Sequence, residues 1–300
     1  MKQLREKDFL DFVGLQESQY LEPASTWLED WFDYEDSRLS GDLLPWDKSH
    51  DLIQFRPGEV TLWGGINGHG KSLILNQAVL NWLQSSKAVI ASLEMKPIDT
   101  IHRMSKQTGL TTDPTKGFKQ TFSDWTDGRL WIYDQLDQVP FERIIGMVHY
   151  AAQELGVRHV VIDSLMKCGI NDDDYSGQKN FVDHLCWAAK NENVHIHLVV
   201  HMRKGKSETE RPGKFDVLGS SAITNLVDNL VIIHRNKAKE LDVEQENSVN
   251  EYEPDATLEV RKNRHGGKEG GIKLYFSDKY LQFNQSPKWQ DMRIKMLEVA

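Results

Sequence analysis

Short apolar runs alternate with amphipathic stretches along most of the chain after Glu59. Runs rich in Val, Ile and Leu are typical of buried strands, and the stretches between them have the spacing of helices. Strand, helix and strand in succession imply right-handed crossovers and a mostly parallel sheet. The first five strands that this pattern predicts are Val60–Gly64, Ala88–Leu93, Leu130–Tyr133, His159–Asp163 and His195–Val200.

Three more apolar runs follow, at Asn229–His234, Thr257–Lys262 and Ile272–Phe276. Short links, rich in glycine or in charge, separate these runs. Links of this kind are typical of antiparallel neighbours, because parallel strands need a longer crossover. The predicted fold class is therefore α/β, with a mostly parallel central sheet and antiparallel edge strands.

Residues 1–57 lack the alternation of strands and helices. Their pattern predicts a short, acidic, helical N-terminal extension. Trp27 with Trp31, and Leu28 with Phe32, are spaced four apart, as on one face of a helix. Residues 1–60 hold 14 acidic and 6 basic side chains, and so carry −8 of the total charge of −9. An aromatic stripe in this setting could pack on its own core or on a neighbouring subunit, and the sequence leaves both open.

Residues 65–72, Gly-Ile-Asn-Gly-His-Gly-Lys-Ser, have the spacing G-x-x-x-x-G-K-[ST] of a phosphate-binding loop. A predicted strand precedes them and a predicted helix follows from Leu73, as the motif requires. Backbone N–H groups of such a loop surround a phosphate, the lysine reaches the β- and γ-phosphates, and the hydroxyl holds Mg²⁺. The alternative is a glycine-rich turn. We assign binding of ATP with Mg²⁺ to Gly65, Asn67, Gly68, His69, Gly70, Lys71, Ser72 and Leu73.

Polar residues end three of the predicted strands. Asp163 has the position of a carboxylate that holds Mg²⁺ through a bound water. Glu94 is a candidate for the base that orients and deprotonates the attacking water. His201 is a candidate for contact with the γ-phosphate. Each could instead be an ordinary strand-end residue, and His201 could be a structural histidine.

Two basic segments suggest contacts with anions. Residues 201–214 hold five bases and two acids, and Arg203, Lys204 and Lys206 are candidates for gripping a nucleic-acid backbone. The alternative is a solvated surface loop. Lys262 and Arg264 end a late strand, and such a pair could place positive charge at the γ-phosphate of a neighbouring subunit. Surface charge alone would explain this pair equally well.

The composition excludes several classes of protein. No apolar run approaches the roughly 18 residues that a membrane-spanning helix needs, and the first residues lack the apolar core of a signal peptide. The net charge of −9 argues against a generally basic nucleic-acid binder, so contacts with nucleic acid would be local. Cys168 and Cys186 lack the spacing of metal ligands. We expect a cytoplasmic protein with reduced thiols.

In their order, these motifs resemble the hexameric replicative helicases of DnaB type. The likeness covers about residues 57–283 and is nearest to the branch of the T7-like phage primase-helicase and mitochondrial Twinkle. After the phosphate loop come Ser92–Met95, Val161–Ser164 and Val199–His201. The longest match, Asp216–Ile223, continues to Asp228 and Arg235-Asn236. Lys262-Asn263-Arg264 resembles the family's K-x-R finger.

The resemblance implies a role for each matched residue. Lys71 and Ser72 would bind phosphate and Mg²⁺, with Asp163 on the metal, Glu94 as base and His201 as γ-phosphate sensor. Arg264, with Lys262, would be the finger that enters the adjacent subunit. The nucleotide base would lie between Arg235 and either Tyr275 or Phe276. The loops after Asp163 and His201 would grip single-stranded DNA in the channel of a ring hexamer.

The resemblance also implies the domain plan: an extension over residues 1–57, a RecA-like motor over 58–285 and a tail over 286–300. It further implies 5′–3′ unwinding and a bacterial or phage-infected cell as the host. Because the extension is short for a primase, it also implies a separate primase or polymerase. Leu218 and Ser221 depart from the family pattern. Residues 240–255 hold seven acids and no base, and we expect them to project as a solvated flap.

Two other functions remain open. The first is a recombination or repair ATPase that forms a filament on DNA. The second is a nucleotide-gated assembly module with little motor activity. Strand displacement on a forked substrate separates the helicase from the recombinase, and DNA-stimulated hydrolysis separates both from the module.

Overall fold

The computed structural model describes residues 22–37, 41–171, 173–203, 211–219, 222–245, 250 and 252–287. The chain divides into two compact units, Met1–Gly41 and Asp42–Ala300. In the first unit, a 3₁₀ turn at Ala24–Trp27 leads into helix α1, Leu28–Ser37. The four apolar side chains of the predicted stripe are all exposed: Trp27, Leu28, Trp31 and Phe32.

The second unit is built on one sheet of nine strands in the order β3-β2-β4-β5-β1-β6-β7-β8-β9. Each strand predicted from the sequence is present, and β9 is additional. The bounds are β1 Val60–Gly65, β2 Ala88–Ser92, β3 Leu130–Ile132, β4 His159–Asp163, β5 His195–His201, β6 Asn229–Arg235, β7 Ala256–Asn263, β8 Gly270–Ser277 and β9 Gln282–Asn284.

Helices cover both faces of this sheet, and the sheet alternates its apolar side chains between them. Val60 and Leu62 of β1 face the core beneath α5 and α6, whereas Trp63 faces the core beneath α2, α3 and α4. The helices of this unit are α2 Lys71–Trp82, α3 Pro97–Gly109, α4 Lys116–Thr126, α5 Phe141–Gln153, α6 Tyr175–Glu192, α7 Ile223–Leu226 and α8 Lys237–Glu244.

Strand β6 differs from the prediction, because it runs parallel to β1 and not antiparallel. The connection from β5 to β6 is long and includes α7, so it has the length that a parallel crossover needs. Strands β7, β8 and β9 are antiparallel additions, as predicted. The carboxyl ends of all six parallel strands therefore lie at one edge, together with the start of β7.

Residues 42–57 pack into this second unit. Leu44, Trp46, Ile53 and Phe55 are fully buried in the core beneath α2–α4. Asp42 and Phe55 form an antiparallel bridge. The division between the compact units thus falls after Gly41, ahead of the boundary at residue 57 that the sequence suggests.

The short strand β9 holds the outer edge of the sheet against α2. The side-chain amide of Gln77 donates to the carbonyl of Phe283 and accepts from its N–H, both at 2.9 Å, over 206 positions of sequence. Trp46 Nε1 donates to the same carbonyl at 2.9 Å. The Phe283 ring lies 3.0 Å from where a Cβ at Gly70 would stand, so β9 also supports the phosphate loop.

A chain of hydrogen bonds joins polar side chains inside the core beneath α2–α4. Trp63 Nε1 donates to His197 Nδ1 at 3.2 Å. Because that nitrogen accepts, the proton of the neutral ring lies on Nε2, which donates to His159 Nδ1 at 3.1 Å. His159 Nε2 then donates to Asp42 Oδ2 at 2.9 Å. Both imidazole rings stack on the indole of Trp82, so their faces are buried as well.

His195 lies beside this chain of hydrogen bonds and belongs to the same buried cluster. Its Nδ1 donates to the carbonyl of Arg56 at 2.6 Å, and its Nε2 accepts from Thr61 Oγ1 at 2.8 Å. Burial lowers the pKa of His195 to about 3 and lowers the pKa values of His197 and His159. The three rings are therefore neutral at neutral pH.

Candidate active site

The phosphate loop leaves β1 at the carboxyl edge of the sheet and ends at the first turn of α2. Gly68 and Gly70 have φ values of 80° and 85°, a region that side-chain-bearing residues rarely adopt. A Cβ at Gly65 would stand 2.8 Å from the carbonyl oxygen of Ile233 on β6. The motif thus needs glycine for backbone conformation at positions 68 and 70 and for close packing at position 65.

Lys71 is the buried cation of this loop. Its Nζ donates to the carbonyls of Gly65 at 2.9 Å and Ile66 at 3.1 Å. Burial lowers the pKa of Lys71, and the carboxylates of Asp163 and Glu94 oppose that effect. The loop carbonyls hold the ammonium group over a cavity of about 410 Å³ that the loop, Glu94, Asp163 and His201 line.

Ser72 and Asp163 form an oxygen pair beside Lys71. Ser72 Oγ donates to Asp163 Oδ2 at 2.6 Å, which links the first turn of α2 to the end of β4. Burial raises the pKa of Asp163. A hydroxyl and a buried carboxylate are hard oxygen donors of the kind that Mg²⁺ prefers, and a cation would offset the cost of burying the charge. The residues therefore fit a magnesium ion.

Glu94 and His201 meet through Ser164. Ser164 Oγ donates to Glu94 Oε1 at 2.9 Å and lies 3.3 Å from His201 Nε2. His201 Nε2 is itself 3.6 Å from Glu94 Oε1. The contact with His201 lowers the pKa of Glu94 to about 2, against the effect of burial and with help from Ser164. Glu94 is therefore a carboxylate throughout the neutral range, and the predicted base and the predicted sensor share one hydrogen-bonded group.

His69 connects the phosphate loop to the end of β6. Its Nδ1 accepts from the backbone N–H of Arg235 at 3.2 Å, and its ring lies edge-on to His234. Burial, with His234 and nearby lysines, lowers the pKa of His69 to about 4. The ring is neutral at neutral pH, which suits its role as an acceptor.

The structure separates the two aromatic candidates at the end of β8. The guanidinium carbon of Arg235 lies 4.8 Å from the centre of the Phe276 ring. Tyr275 points to the other face of the strand and donates from its hydroxyl to the carbonyl of Tyr252 at 3.0 Å. Of the pair, Phe276 lies beside Arg235, and Tyr275 does not.

Lys262 and Arg264 lie at the opposite edge of the sheet from the phosphate loop. β7 is antiparallel to β6, so its end pairs with the start of β6. At about 3.3 Å a residue, the length of β1 puts roughly 16 Å or more between this edge and the loop. Arg264, 41% exposed in its side chain, pairs with Asp228 at 3.1 Å. Lys262 Nζ donates to three carbonyls at the end of α7: Thr224, Asn225 and Val227.

Of the three basic residues predicted to contact DNA, the structure describes Arg203 only. Lys204 and Lys206 lie outside the described residues, as does Ser221. Arg203 is exposed, and its N–H donates to the carbonyl of Asp216 at 2.7 Å. Met202 and Val217 form an antiparallel bridge. The residues just after β5, Met202 and Arg203, therefore pair with Asp216 and Val217, next to His201.

The sequence assigns no function to two side chains of the site. Ser164 directly follows Asp163 within a matched segment, but nothing in its spacing indicates that it joins Glu94 to His201. Arg103 of α3 lines the phosphate cavity, and its Nη1 lies 3.0 Å from Met95 Sδ. An arginine inside an amphipathic helix has no motif around it, so its placement depends on how α3 packs.

Three further expectations concern the chain as a whole. Cys168 and Cys186 are both free and buried, and burial raises their pKa values to about 12 and about 11. Among the described helices, none combines the length and apolarity that a membrane span requires. Among the described residues of the acidic insertion, 241–245, 250, 252 and 253 are exposed, as expected of a solvated flap, whereas Glu240 is half-buried and pairs with Arg235 and Lys237.

Comparison with known families and proteins agrees with this geometry. The family model of the DnaB-like helicase C-terminal domain matches residues 50–285. The Twinkle homolog protein, chloroplastic/mitochondrial, of Arabidopsis thaliana is 22% identical over 212 residues. The match takes in 64% of this chain and 30% of that protein, so the chain spans under a third of that relative's length.

Two solved structures share the fold. One, described as an ATPase domain, has a TM-score of 0.70 at 16% identity, over 87% of this chain and 96% of that one. A second, described as "The Structure Of A DnaB-Like Replicative Helicase And Its Interactions With Primase", has a TM-score of 0.70 at 15% identity. It covers 92% of this chain and 72% of that chain. At these identities the likeness is one of fold.

Proposed function

The chain belongs to the DnaB-like helicase C-terminal domain family, and on that premise we propose that it is the motor of an ATP-dependent replicative DNA helicase. The observation that supports this most is the cavity where Lys71, Ser72, Asp163, Glu94 and His201 converge. A phosphate loop, an acid for a metal, an acid for a base and a polar sensor are the parts that NTP hydrolysis needs.

In this proposal, Lys71 neutralises the β- and γ-phosphates, and Ser72 and Asp163 hold Mg²⁺. The ion, when bound, offsets the charge that develops on the phosphates. Glu94 orients the attacking water and takes its proton, and its carboxylate is ionised for that purpose at neutral pH. Ser164 joins Glu94 to His201, so loss of the γ-phosphate beside His201 would be felt at the base and at the segment that begins with Arg203.

We further propose that the active sites lie between copies of the chain in a ring, which we take to be a hexamer. Arg264 is too far from the phosphate loop of its own chain to serve it, yet it is partly exposed. It is the better candidate for a finger acting in trans, since Lys262 already has three carbonyl partners. The exposed apolar face of α1 is a second surface that suits contact with another copy.

Single-stranded DNA is the proposed track, gripped by Arg203, Lys204 and Lys206 and by the segment after β4. Movement in the 5′–3′ direction and association with a separate primase or polymerase are proposals that rest on the family. The interaction with primase is named for one structural neighbour. A bacterial or phage origin and a cytoplasmic location stay predictions, because the named relative is a chloroplastic and mitochondrial protein.

One experiment tests the proposal as a whole. The full chain is incubated with ATP, Mg²⁺ and a forked DNA whose displaced strand is labelled, and hydrolysis and strand release are measured together. Both are expected, and both should vanish in Lys71→Ala. Hydrolysis stimulated by DNA without strand release would instead favour a recombination ATPase, and nucleotide binding without hydrolysis would favour an assembly module.

A further inference from the structure

Arg235 stands between two cavities at the carboxyl edge of the sheet. One is the phosphate cavity of about 410 Å³, and the other is a cavity of about 300 Å³ under α8 that Glu240, Asp255, Phe276 and Asp278 also line. The backbone of Arg235 is tied to the phosphate loop through His69. A nucleotide held by that loop therefore has Arg235 beside it, and its base has the second cavity within reach.

The slot between Arg235 and Phe276 is closed. The guanidinium carbon lies 4.8 Å from the ring centre, which is direct stacking contact. A flat base inserted between the two groups would need about 7 Å, since each side of the base takes a contact of about 3.5 Å. The Arg235 side chain must therefore lift away from Phe276 before a base can lie between them.

Glu240 holds Arg235 in the closed position. One carboxylate oxygen of Glu240 contacts Arg235 Nε, and the other accepts from Lys237 Nζ. Both Arg235 and Glu240 are largely shielded from water, with side-chain exposures of 21% and 28%. An ion pair at such a site is less screened than one on an open surface.

The helix that carries Glu240 is itself fixed to the sheet. The side chain of Asn236 caps α8 by accepting from the N–H of Lys239 at 3.2 Å, and the N–H of Asn236 donates to the carbonyl of Asp255 at 2.8 Å. Lys239 pairs with Asp255 at 2.8 Å. Asp255 Oδ2 in turn accepts from the N–H of Phe276 at 2.8 Å. Glu240 and Phe276 are thereby held by one framework, with Arg235 between them.

We propose that Glu240 is a positioning residue that keeps the base slot shut, so that a nucleotide must displace Arg235 from it in order to seat its base. The inference rests on the proposed function, because it needs a nucleotide at the phosphate loop. It also assigns a role to the acidic insertion, since Glu240 lowers the affinity for nucleotides through their base and leaves the binding of the phosphates unchanged.

The test compares two ligands that share the phosphates and differ in the base. Affinities for ATP and for inorganic tripolyphosphate are measured by calorimetry on the full chain with Mg²⁺. Glu240→Gln keeps the shape of the side chain and removes its charge. We expect ATP to bind about three- to five-fold more tightly, the scale of a partly exposed ion pair, and tripolyphosphate to bind as to the parent.

Two more variants make the comparison specific. Asp242→Asn removes one negative charge from the same helix, at an exposed residue outside the cavity lining, and should leave both affinities unchanged. Glu240→Asp keeps the charge but shortens its reach, so it should tighten ATP binding in the same direction as Glu240→Gln. If Glu240→Gln does not fold, the ATP affinity of Glu240→Asp tests the inference in its place.

The results that overturn the inference are distinct from each other. Unchanged or weaker ATP binding in both Glu240 variants would mean that the ion pair does not hold the slot shut. Equal tightening for ATP and tripolyphosphate would mean that Glu240 acts on the phosphates. If the parent binds neither ligand, the proposed function itself fails and the inference fails with it.

Discussion

Ser72 Oγ donates a hydrogen bond of 2.6 Å to Asp163 Oδ2, across 91 positions of sequence. The two residues meet because β1, β5 and β4 are successive neighbours in the sheet and all end at the same edge. Ser72 lies in the first turn of α2, at the end of the loop that leaves β1, and Asp163 is the last residue of β4. Hydroxyl and carboxylate thus stand side by side next to Lys71.

This pair predicts a shift in the magnesium dependence of hydrolysis. Asp163→Asn keeps the hydrogen bond from Ser72 possible but removes the negative charge, so the site should hold Mg²⁺ about 10- to 100-fold less tightly, as for an outer partner of a bound metal. The measurement is ATPase rate against Mg²⁺ concentration, with Ser72→Ala as the companion variant. A half-saturating Mg²⁺ concentration equal to that of the parent would remove Asp163 from the metal site.

Glu94→Gln should bind ATP and fail to turn it over. The amide keeps the size of the side chain and can still accept from Ser164, but it cannot take a proton. Loss of a general base costs about 10²- to 10⁴-fold in rate. Calorimetry gives the binding and single-turnover hydrolysis gives the rate. The assignment fails if the variant hydrolyses ATP within a few-fold of the parent.

Arg264→Ala should fold, bind nucleotide and lose hydrolysis by about 10³-fold or more, the scale of an arginine finger. Mixing this variant with Glu94→Gln should restore some turnover. In a mixed ring, a subunit with an intact Glu94 borrows the finger of its Glu94→Gln neighbour.

The mixing experiment depends on subunit exchange, which is verified first with two fluorescent labels. Arg261→Ala is the matched control, since Arg261 lies on β7 just before the proposed finger, pairs with Glu259 and has no part in the Lys262–Arg264 pair. Mixed assemblies as inactive as either parent, after exchange is shown, would contradict the shared active site and with it the ring.

Replacing Arg203, Lys204 and Lys206 by Ala should weaken binding to single-stranded DNA without base preference. Each lost phosphate contact should flatten the plot of log affinity against log salt concentration by about 0.7. ATP hydrolysis measured without DNA should change little. The readout is fluorescence anisotropy of a labelled oligonucleotide over a range of salt concentrations, and an unaltered slope would locate the DNA contact elsewhere.

The buried histidines predict a loss of stability in mild acid. The folded-state pKa values of His159, His195 and His197 are all lowered, that of His195 to about 3, against about 6.5 in the unfolded chain. The unfolded state therefore binds more protons as the pH falls below about 6.5, and each ring can cost up to about 1.4 kcal/mol per pH unit down to its folded pKa.

Urea unfolding between pH 7.5 and pH 5 measures this slope. His197→Phe should flatten it, because phenylalanine takes no proton, even if the variant is less stable at every pH. His184 is exposed, so His184→Gln should keep the slope of the parent. A free energy of unfolding that does not change over this range would show that the rings take up protons without cost.

The sequence predicts where the strand-end residues lie, because the hydrophobic pattern gives the end of each strand and parallel strands end at the same edge of the sheet. Glu94, Asp163 and His201 each close an apolar run, and the sheet brings them together. It does not reveal what side-chain packing decides. Phe276 and Tyr275 are adjacent and both aromatic. Which of them contacts Arg235 depends on which face of β8 each side chain occupies.

Other structural features could not be predicted from the sequence, for related reasons. Strand β6 has a crossover without a strong helical pattern, since α7 has four residues, and so its direction could not be deduced. The pairing of Glu240 with Arg235 depends on how the capped helix α8 is held by Asp255, just before β7, whereas composition describes this segment only as an acidic run. The histidines of β4 and β5 alternate with apolar residues, and nothing in that pattern tells a buried hydrogen-bond chain from an exposed polar face.

The contact between Phe283 and Gly70 has a consequence for biosynthesis. The phosphate loop is translated well before its support, because the backbone that binds Gln77 comes 206 positions after that glutamine. A nascent chain on the ribosome therefore carries the loop through all of that synthesis without the Phe283 ring beside it. The loop therefore gains this support only when β9 has left the exit tunnel, and a chain whose translation stops before Gln282 lacks it.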